Sequence, residues 1–194
     1  MIAIIDYATG NLCSVENAFK RVGAEYVVTA DEKVIRAASH VVLPGVGEAS
    51  SAMERLRDTG LEDVIRSLTQ PVMGICIGMQ LMCRSSREGD VRCLGIFDTQ
   101  VVKIEPAPGV KVPHMGWDTL EGLRTPLFDG IEAGWHFYYV HSFAPEVCAH
   151  TIARTDYGFP FSAALGRDNF FGVQFHPEKS GPWGETLLKN FLKL

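Results

Sequence analysis

The sequence predicts an α/β fold in which helices flank a mainly parallel sheet that carries an antiparallel extension. The first observation is that short apolar runs alternate with helical patterns through the first half of the chain, as in βα units. The second is that short strand candidates separated by Pro and Gly follow one another in the second half. With 194 residues, 46% hydrophobic, and a mean hydropathy of +0.07, the chain is expected to form one globular domain over residues 1–194.

Strands and helices are predicted in alternation through the first half. Apolar runs indicate strands at residues 2–5, 26–28, 41–43 and 71–75. Helical patterns indicate helices at residues 12–22, 31–38 and 77–84, with two more between the loop at residues 44–47 and residue 68. Gly23 suits the position just past the end of the first helix.

The second half begins with a polar segment, residues 85–90, that is expected to be a surface loop. The strand candidates that follow are expected to extend the same sheet in antiparallel fashion, at residues 100–104, 135–140, 151–154 and 162–165. A last strand at residues 171–175 precedes a terminal helix. The apolar side chains expected on one face of that helix are Trp183, Leu187, Leu188, Phe191 and Leu192.

Composition excludes several classes of function. The 23 acidic and 18 basic residues give a net charge of −5, which argues against a large basic face for nucleic acid or acidic lipid. No apolar stretch approaches the ~20 residues that a membrane-spanning helix needs, and residues 1–6 are too short and too soon charged for a signal peptide. We therefore expect neither a nucleic acid nor a membrane as partner.

Cysteine usage points to a reducing compartment. The chain has five cysteines, an odd number, with no CxxC pair and no spacing typical of metal ligands. A disulfide framework is not expected, nor is a metal ion or another cofactor, and the cytoplasm is the expected location. Four of the cysteines are assigned to packing: Cys13, Cys83, Cys93 and Cys148.

The strongest local signal lies at residues 74–80, where Cys76 has a glycine two positions before and two positions after it. This G-x-C-x-G spacing, between a predicted strand and a predicted helix, is typical of a nucleophile elbow, a sharp turn that projects one side chain. A helix N-terminus favours the thiolate, and the amide of Ile77 would point towards a developing oxyanion. The alternative is a buried core cysteine beside two structural glycines.

A thiol nucleophile needs a base, and His176 has the most informative context of the six histidines. It follows an apolar strand whose carboxyl end would share an edge of a parallel sheet with Cys76. Pro177 favours an extended chain, in which side chains two positions apart share a face, so Glu178 could hold the imidazole. The three residues then form a Cys-His-Glu triad. By spacing alone, a capping histidine with an exposed glutamate is about equally compatible.

The loop at residues 44–47 follows the third strand and would lie beside the elbow. Its glycines let the backbone turn its amides freely. Val46 or Gly47 could therefore supply a second oxyanion donor, a contribution of ~3–4 kcal/mol to transition-state stabilisation in enzymes where such a donor has been removed. Taken alone, such a loop is merely a turn in most proteins.

Three segments resemble the class I (triad) glutamine amidotransferases, whose fold is flavodoxin-like: residues 43–47, 74–80 and 172–180. Two more segments, residues 112–117 and 138–143, with the turn at residues 6–11, resemble one group of that class, the glutaminase subunits of imidazole glycerol phosphate synthases. The resemblance runs from Ile4 to the terminal helix. It implies an enzyme that hydrolyses L-glutamine to glutamate and ammonia.

The resemblance also implies roles for individual residues. Cys76 would be the nucleophile, His176 the base and then the acid, and Glu178 the residue that orients the imidazole. The implied substrate contacts are Gln80, Glu88 and the backbone at Ser142 and Phe143. The positions implied to face a partner are Asn11, Trp117 and Lys179. Asp118 departs from the family pattern, in which Asn is common at this position.

By the same analogy, the partner is a cyclase subunit with a (β/α)₈ barrel that forms a heterodimer with the glutaminase in histidine biosynthesis. Ammonia would cross the interface and be used to make imidazole glycerol phosphate and an aminoimidazole carboxamide ribonucleotide. A freely hydrolysing glutaminase would waste its substrate. We therefore expect the isolated chain to be nearly inactive until partner binding changes the conformation of the loop around Val46.

Three alternatives stay open on the sequence alone. One is the glutaminase of pyridoxal phosphate synthase, of similar size and fold, which fits the segments at residues 44–47 and 112–117 less well. Another is a non-catalytic regulatory protein that keeps the fold, although all three triad residues are present here. The third is a flavodoxin-like cysteine hydrolase or protease, which would need neither Gln80 nor a partner-facing surface.

Overall fold

The computed structural model describes residues 1–8 and 12–194, so Asn11, one of the expected partner-facing residues, lies outside the described residues. The strands, in chain order, are β1 (Ile2–Ile5), β2 (Tyr26–Thr29), β3 (His40–Leu43), β4 (Val72–Ile75), β5 (Cys83–Ser86), β6 (Val91–Arg92), β7 (Phe97–Lys103), β8 (His114–Thr119), β9 (His136–His141), β10 (Phe143–Pro145), β11 (Thr151–Asp156), β12 (Pro160–Arg167) and β13 (Phe170–Val173). The α-helices are α1 (Cys13–Arg21), α2 (Glu32–Ala37), α3 (Ala49–Asp58), α4 (Leu61–Arg66), α5 (Ile77–Met82) and α6 (Gly181–Phe191). Two short 3₁₀ turns span Pro126–Phe128 and Pro177–Lys179.

The largest sheet has seven strands in the order β11-β12-β13-β4-β3-β1-β2. The five strands from β13 to β2 are parallel, whereas β12 and β11 run antiparallel to their neighbours. The inner strands β1 and β4 are buried along their whole length, as expected where helices cover both faces of a parallel sheet. The predicted α/β fold with an antiparallel extension is confirmed.

Only part of the second half extends this sheet, and here the prediction was wrong. Strands β11 and β12 do so, but β7 and β10 belong to a separate four-stranded sheet with β5 and β6. Strand β8 pairs with β9 in a two-stranded ribbon. The physical reason is that β13 occupies the edge beside β4, and β12 and β11 follow it outwards. The remaining strands pair instead with one another.

A second correction concerns residues 83–90, for which the sequence predicts the end of a helix and then a loop. Helix α5 ends at Met82, and the chain becomes extended at Cys83, where ψ is 174°. Residues Cys83–Ser86 form β5, which pairs in parallel with β7. The apolar Cys83 continues the pattern of the helix, so the local sequence does not reveal a strand that depends on a distant partner.

The first and last α-helices bury the faces that their spacing predicts. Val15 and Phe19 are buried in α1, and Leu187 and Phe191 in α6. Trp183 of α6 is half-buried and packs against the hydrophobic core. No helix in residues 1–8 and 12–194 is long and apolar enough to cross a membrane.

Helix α6 packs closely on the turn Pro177–Lys179, which carries Glu178. A Cβ atom added at Gly184 would lie 1.9 Å from the Pro177 carbonyl oxygen. Gly184→Ala is therefore expected to lower the free energy of unfolding by about 2–3 kcal/mol, although Ala is the better helix former. Urea unfolding followed by circular dichroism measures this. Lys189→Ala, an exposed change in the same helix, should stay within about 0.5 kcal/mol; equal stability of the two variants would contradict the close packing.

Candidate active site

Three parallel strands end at one edge of the seven-stranded sheet, and the candidate residues follow them. Strands β3, β4 and β13 are in register at their carboxyl ends. The loop at residues 44–47 follows β3, Cys76 follows β4 directly, and His176 lies shortly after β13. Ligands of α/β proteins bind at this end of the strands. The topology therefore brings together the three segments that the sequence singles out.

Cys76 lies at a sharp turn between β4 and α5. Its φ is 53° and its ψ is −111°. A residue other than glycine adopts this backbone conformation only where the surrounding structure imposes it. A Cβ atom at Gly78 would lie 1.8 Å from the Leu43 carbonyl oxygen, and one at Gly74 would lie 2.7 Å from the Gly78 backbone. Close backbone approach requires both glycines, and the G-x-C-x-G spacing forms the strand–turn–helix geometry of an elbow.

Glu178 holds the imidazole of His176 from one side. The Nδ1 atom of His176 lies 2.7 Å from Oε1 of Glu178, and both side chains are buried. Ser180 fixes the turn that carries them: its hydroxyl donates to the His176 carbonyl at 2.6 Å and accepts from the Tyr138 amide at 3.0 Å. The pair thus has the geometry expected of a ring oriented by a carboxylate.

The pKa of His176 depends on its surroundings. Burial lowers this pKa, but the adjacent Cys76 sulfur and the hydrogen bond with Glu178 raise it by more, so the net pKa lies above the ordinary value for histidine. The Nε2 atom is buried and makes no hydrogen bond of regular geometry to any residue in the described ranges. A protonated imidazole beside sulfur favours the thiolate.

Two buried glutamine side chains connect the sulfur to a backbone carbonyl. The Nε2 atom of Gln174 lies 3.6 Å from the Cys76 sulfur. The Nε2 atom of Gln80 donates to Oε1 of Gln174 and to the carbonyl of Phe143, each at 2.9 Å. Sequence reasoning assigned no role to Gln174. A signal was available, because Gln174 stands two positions before His176, the spacing of side chains on one face of an extended chain.

A cavity of about 320 Å³ opens in front of Cys76 and His176, within the ~300–1,000 Å³ typical of small-molecule sites. The expected site residues that line it, besides these two, are Val46, Gly47, Ile77, Gln80, Glu88, Ser142, Phe143 and Lys179. The Oε1 atom of Gln80 is buried and has no hydrogen-bond partner among the described residues. A donor on a bound ligand or on a water molecule would satisfy this acceptor.

The expected oxyanion donors surround the elbow. Gly45 packs so closely that a Cβ atom there would lie 2.7 Å from the Gly78 amide nitrogen. Next to it, Val46 is 45% exposed and Gly47 has a φ of 98°. Ile77 begins helix α5, where backbone amides have no partner within the helix. The loop and the start of the helix therefore converge on Cys76.

Glu88 has a structural contact in addition to its place at the cavity. Its Oε2 atom accepts a hydrogen bond from the amide of Ala49, the first residue of α3, at 2.9 Å. Burial raises the pKa of Glu88, and the hydrogen bond from Ala49 opposes that rise. Glu88 thus ties the chain after β5 to α3 at the cavity wall.

Two of the expected partner-facing residues, Trp117 and Lys179, lie against the same Tyr138 ring at the surface. Trp117 is 54% exposed, and its ring packs edge-on against Tyr138 with centroids 5.9 Å apart. The Nζ atom of Lys179 lies 5.8 Å from the centroid of the same Tyr138 ring. Tyr138 therefore joins Trp117 to Lys179, which lines the cavity.

Burial distinguishes two other cysteines from a reactive thiol. It raises the pKa of the Cys83 thiol well above its usual range and raises that of Cys93 to about 12. Such thiols stay protonated and unreactive at neutral pH. This agrees with their assignment to packing.

His114 and His141 form a buried pair beside the cavity. Their Nδ1 and Nε2 atoms, respectively, are 3.0 Å apart, and Nδ1 of His141 contacts the Phe143 carbonyl at 2.8 Å. Burial lowers the pKa of His141 to about 3 despite the hydrogen bond to Phe143, and burial also lowers the pKa of His114. Both rings are therefore neutral at pH 7.

Comparison with known proteins identifies the family. The model of the family described as "Glutamine amidotransferase class-I" matches residues 3–194. The chain belongs to the class I glutamine amidotransferases. A relative of this amidotransferase from Bacteroides fragilis, named imidazole glycerol phosphate synthase subunit HisH, is 53% identical over 100% of this chain and 99% of that protein. A relative of the same name from Yersinia pseudotuberculosis is 47% identical over 100% of this chain and 99% of that protein.

A solved structure shows the same fold at much lower sequence identity. It is described as a glutamine amidotransferase and matches this amidotransferase with a TM-score of 0.77 and 17% identity, over 100% of this chain and 98% of that chain. At this identity the likeness concerns the fold alone. The chain therefore shares its fold with that glutamine amidotransferase.

The buried, neutral His141 makes the stability of this amidotransferase depend on pH. Its pKa is about 3 in the folded chain and about 6.5 in an unfolded chain. The unfolded chain binds the extra proton between these values, so stability falls as the pH falls below about 6.5. His176 acts in the opposite sense, because its raised pKa gives stability that is present at low pH and lost as the pH rises.

A variant isolates the contribution of His141. Between pH 7 and pH 5.5 this one ring is expected to cost about 1 kcal/mol of stability. Urea unfolding at both pH values should therefore show a loss about 1 kcal/mol smaller in His141→Gln than in the wild type. His136→Gln, an exposed change in the same strand, should behave as the wild type does. Equal losses in all three proteins would mean that His141 is protonated in the folded chain.

Proposed function

We propose that this chain is the glutaminase subunit of an imidazole glycerol phosphate synthase and hydrolyses L-glutamine through Cys76, His176 and Glu178. The observation that carries the proposal is the meeting of the Cys76 elbow and the buried His176–Glu178 pair at one cavity. Full-length relatives that bear the synthase name, at 47% and 53% identity, favour this reading over the glutaminase of pyridoxal phosphate synthase. A thiolate enzyme suits the reducing cytoplasm, which we propose as its location.

In the first half of the reaction, the Cys76 thiolate attacks the carbonyl carbon of the glutamine side chain. A C–S bond forms, and the electron pair that moves to oxygen is held by the amide of Ile77 and by that of Val46 or Gly47. As the tetrahedral intermediate collapses, the C–N bond breaks and His176 gives its proton to the departing nitrogen. Ammonia leaves, and a glutamyl thioester remains.

In the second half, the neutral His176 accepts a proton from water while the water oxygen attacks the thioester carbon. The C–S bond then breaks, and its electron pair returns to sulfur. The new carboxyl group gives its proton to solvent water and glutamate leaves, while the thiolate and the imidazolium formed in the previous step remain. Glu178 keeps Nδ1 occupied at 2.7 Å, which leaves Nε2 to act in both halves.

Glutamine would lie along the cavity with its α-carboxylate at the backbone of Ser142 and Phe143. The unpartnered Oε1 atom of Gln80 is a hydrogen-bond acceptor that suits an N–H group of the substrate. Glu88 lines the same cavity and carries a carboxylate, which suits the α-ammonium group. These contacts select an amino acid whose side chain reaches the sulfur.

The mouth of the cavity is the proposed contact surface for a cyclase subunit with a (β/α)₈ barrel, in a heterodimer. Met115 and Trp117 lie two positions apart in β8, so they project from the same face, and both are exposed. Val46 is also exposed and lines the cavity itself. An exposed apolar surface that reaches the place of ammonia release suits a partner that receives ammonia. Asn11 and Lys179 are the other proposed contacts.

Partner binding is further proposed to control the loop at residues 44–47. An exposed Val46 beside a glycine of positive φ can be moved by a neighbouring protein without loss of core packing. Contact would favour the loop conformation in which a backbone amide points at the oxyanion. The isolated chain is accordingly expected to hydrolyse glutamine much more slowly than the complex does.

Replacement of Cys76 tests the proposed reaction. In the complex with the cyclase, Cys76→Ala should lower glutamine hydrolysis by more than about 10⁴-fold, because the nucleophile is lost. The synthesis that the cyclase carries out with added ammonia should stay within about twofold of wild type. Glutamate release and product formation are measured in parallel, with Cys148→Ala as a control on a half-buried thiol. Wild-type glutamine turnover by Cys76→Ala would refute the assignment.

Replacement of Trp117 tests the proposed interface. Trp117→Ala is expected to weaken binding to the cyclase by about 10- to 100-fold, because buried aromatic anchors dominate interface energies. Isothermal titration calorimetry gives the Kd. Val147 is 48% exposed, close to the 54% of Trp117, but borders a different surface depression. Val147→Ala should leave the Kd unchanged, and equal weakening by both changes would place the interface elsewhere.

A further inference from the structure

We propose that Gln174 is a catalytic residue that donates a hydrogen bond to the Cys76 sulfur, and that Gln80 is a positioning residue that fixes the direction of this bond. The inference rests on the proposed function. It adds a third feature that stabilises the negatively charged sulfur, besides the imidazole of His176 and the start of helix α5. It also gives Gln80 a second role, in addition to its proposed contact with substrate.

The contacts form a continuous chain of buried groups. The Gln174 Nε2 atom is 3.6 Å from the sulfur, a normal distance for an N–H group facing sulfur. The Gln174 Oε1 atom is 2.9 Å from Nε2 of Gln80, and the same Nε2 atom is 2.9 Å from the Phe143 carbonyl oxygen. Gln174 is 0% exposed and Gln80 is 1% exposed. Water therefore does not compete for these bonds.

The direction of these hydrogen bonds follows from the Phe143 carbonyl, at which the series ends. A carbonyl oxygen only accepts hydrogen bonds, so the Phe143 carbonyl must face the nitrogen of the Gln80 amide. The second hydrogen on that nitrogen then requires the oxygen of Gln174 opposite it. The Gln174 nitrogen is left pointing at the sulfur. Rotation of either amide by 180° would oppose two acceptors or two donors in a buried site, which is costly.

His141 reinforces the same arrangement. Its Nδ1 atom contacts the Phe143 carbonyl at 2.8 Å, and because the ring is neutral, this nitrogen carries the proton that the carbonyl accepts. The Phe143 carbonyl thus accepts two hydrogen bonds, one for each lone pair. The two donors fix the position of the carbonyl oxygen, and this position sets the orientation of the Gln80 and Gln174 amides.

A neutral donor at sulfur helps the steps in which sulfur carries negative charge. It stabilises the thiolate before attack, and it stabilises sulfur again when the C–S bond of the second tetrahedral intermediate breaks and the electron pair returns to it. Unlike His176, Gln174 exchanges no proton with the substrate. Gln80 lines the cavity whereas Gln174 does not, so Gln174 should affect turnover more than substrate binding.

The test measures first the reactivity of the Cys76 sulfur and then the turnover of glutamine. The rate at which iodoacetamide alkylates Cys76 is measured from pH 5 to pH 9 in the absence of glutamine, with Cys76→Ala subtracted to remove labelling of other thiols such as the exposed Cys13. The variants are Gln174→Met, which removes the donor at similar volume, and Gln174→Glu, which keeps the acceptor for Gln80 but replaces the donor. Gln70 lies just before β4, at the end of the strand away from Cys76, and its side chain donates a hydrogen bond to the Ile35 carbonyl. Gln70→Met removes this bond and serves as the control.

Both Gln174 variants should move the alkylation profile to higher pH, and Gln174→Glu should move it further because a carboxylate repels the thiolate. In the complex with the cyclase, kcat for glutamine should fall about 10- to 100-fold, the effect of one hydrogen bond to a charged group, while KM stays within about threefold. Gln80→Met should shift the alkylation profile in the same direction, although no substrate is present. Gln70→Met should leave the profile and kcat unchanged.

Two results would overturn the inference. One is an unchanged alkylation profile with wild-type kcat in a folded Gln174 variant; if urea unfolding shows Gln174→Met to be destabilised, Gln80→Met decides, because it removes the group that orients Gln174 and adds no charge. The other is a shift in Gln174→Met that Gln70→Met reproduces, which would indicate a general effect of altered packing. Both results leave the proposed function intact, because that fails only if Cys76→Ala retains glutamine turnover.

Discussion

The close backbone approach at the elbow is the constraint on which the rest of the site depends. The Leu43 carbonyl at the end of β3 lies so near the first turn of α5 that no side chain fits at Gly78. This contact sets the position of the helix against the sheet edge, and Cys76 must take a positive φ to join strand and helix. Every residue of α5 is buried. The surrounding core therefore holds a conformation that the isolated segment would leave.

Burial also determines the electrostatic environment of Cys76. His176 and Glu178 are buried, a position that costs free energy unless charged groups are paired. Their 2.7 Å contact satisfies one ring nitrogen and one carboxylate oxygen, whereas Nε2 of His176 and Oε2 of Glu178 have no regular partner in the described part of the chain. Unpaired buried atoms lower stability and are tolerated where a ligand or a reaction uses them. The fold thus keeps at this edge a capacity for hydrogen bonding that its own residues leave unused.

The sequence predicts local features well and distant pairings poorly, for a physical reason. The strand Ile2–Ile5 is a continuous apolar run, and the elbow and the His176–Glu178 pair each lie within a few residues of chain, so local patterns suffice. The strand Cys83–Ser86 depends on β7, and Gln174 depends on a partner 94 residues away in the chain. A glutamine beside an apolar strand has the same local pattern whether it is solvated or buried. Only the packing of separate segments decides between the two.

The ribbon of β8 and β9 places the proposed partner surface next to these distant pairings. On its outer face Trp117 lies opposite Tyr138, and on its inner face His114 lies opposite His141. The inner face reaches the Phe143 carbonyl, which orients the amides behind the sulfur. Because side chains alternate between the faces of a strand, no further layer of side chains lies between the outer face and the inner face. The ribbon therefore carries the exposed Trp117 and the buried His114–His141 pair on opposite sides of the same two strands.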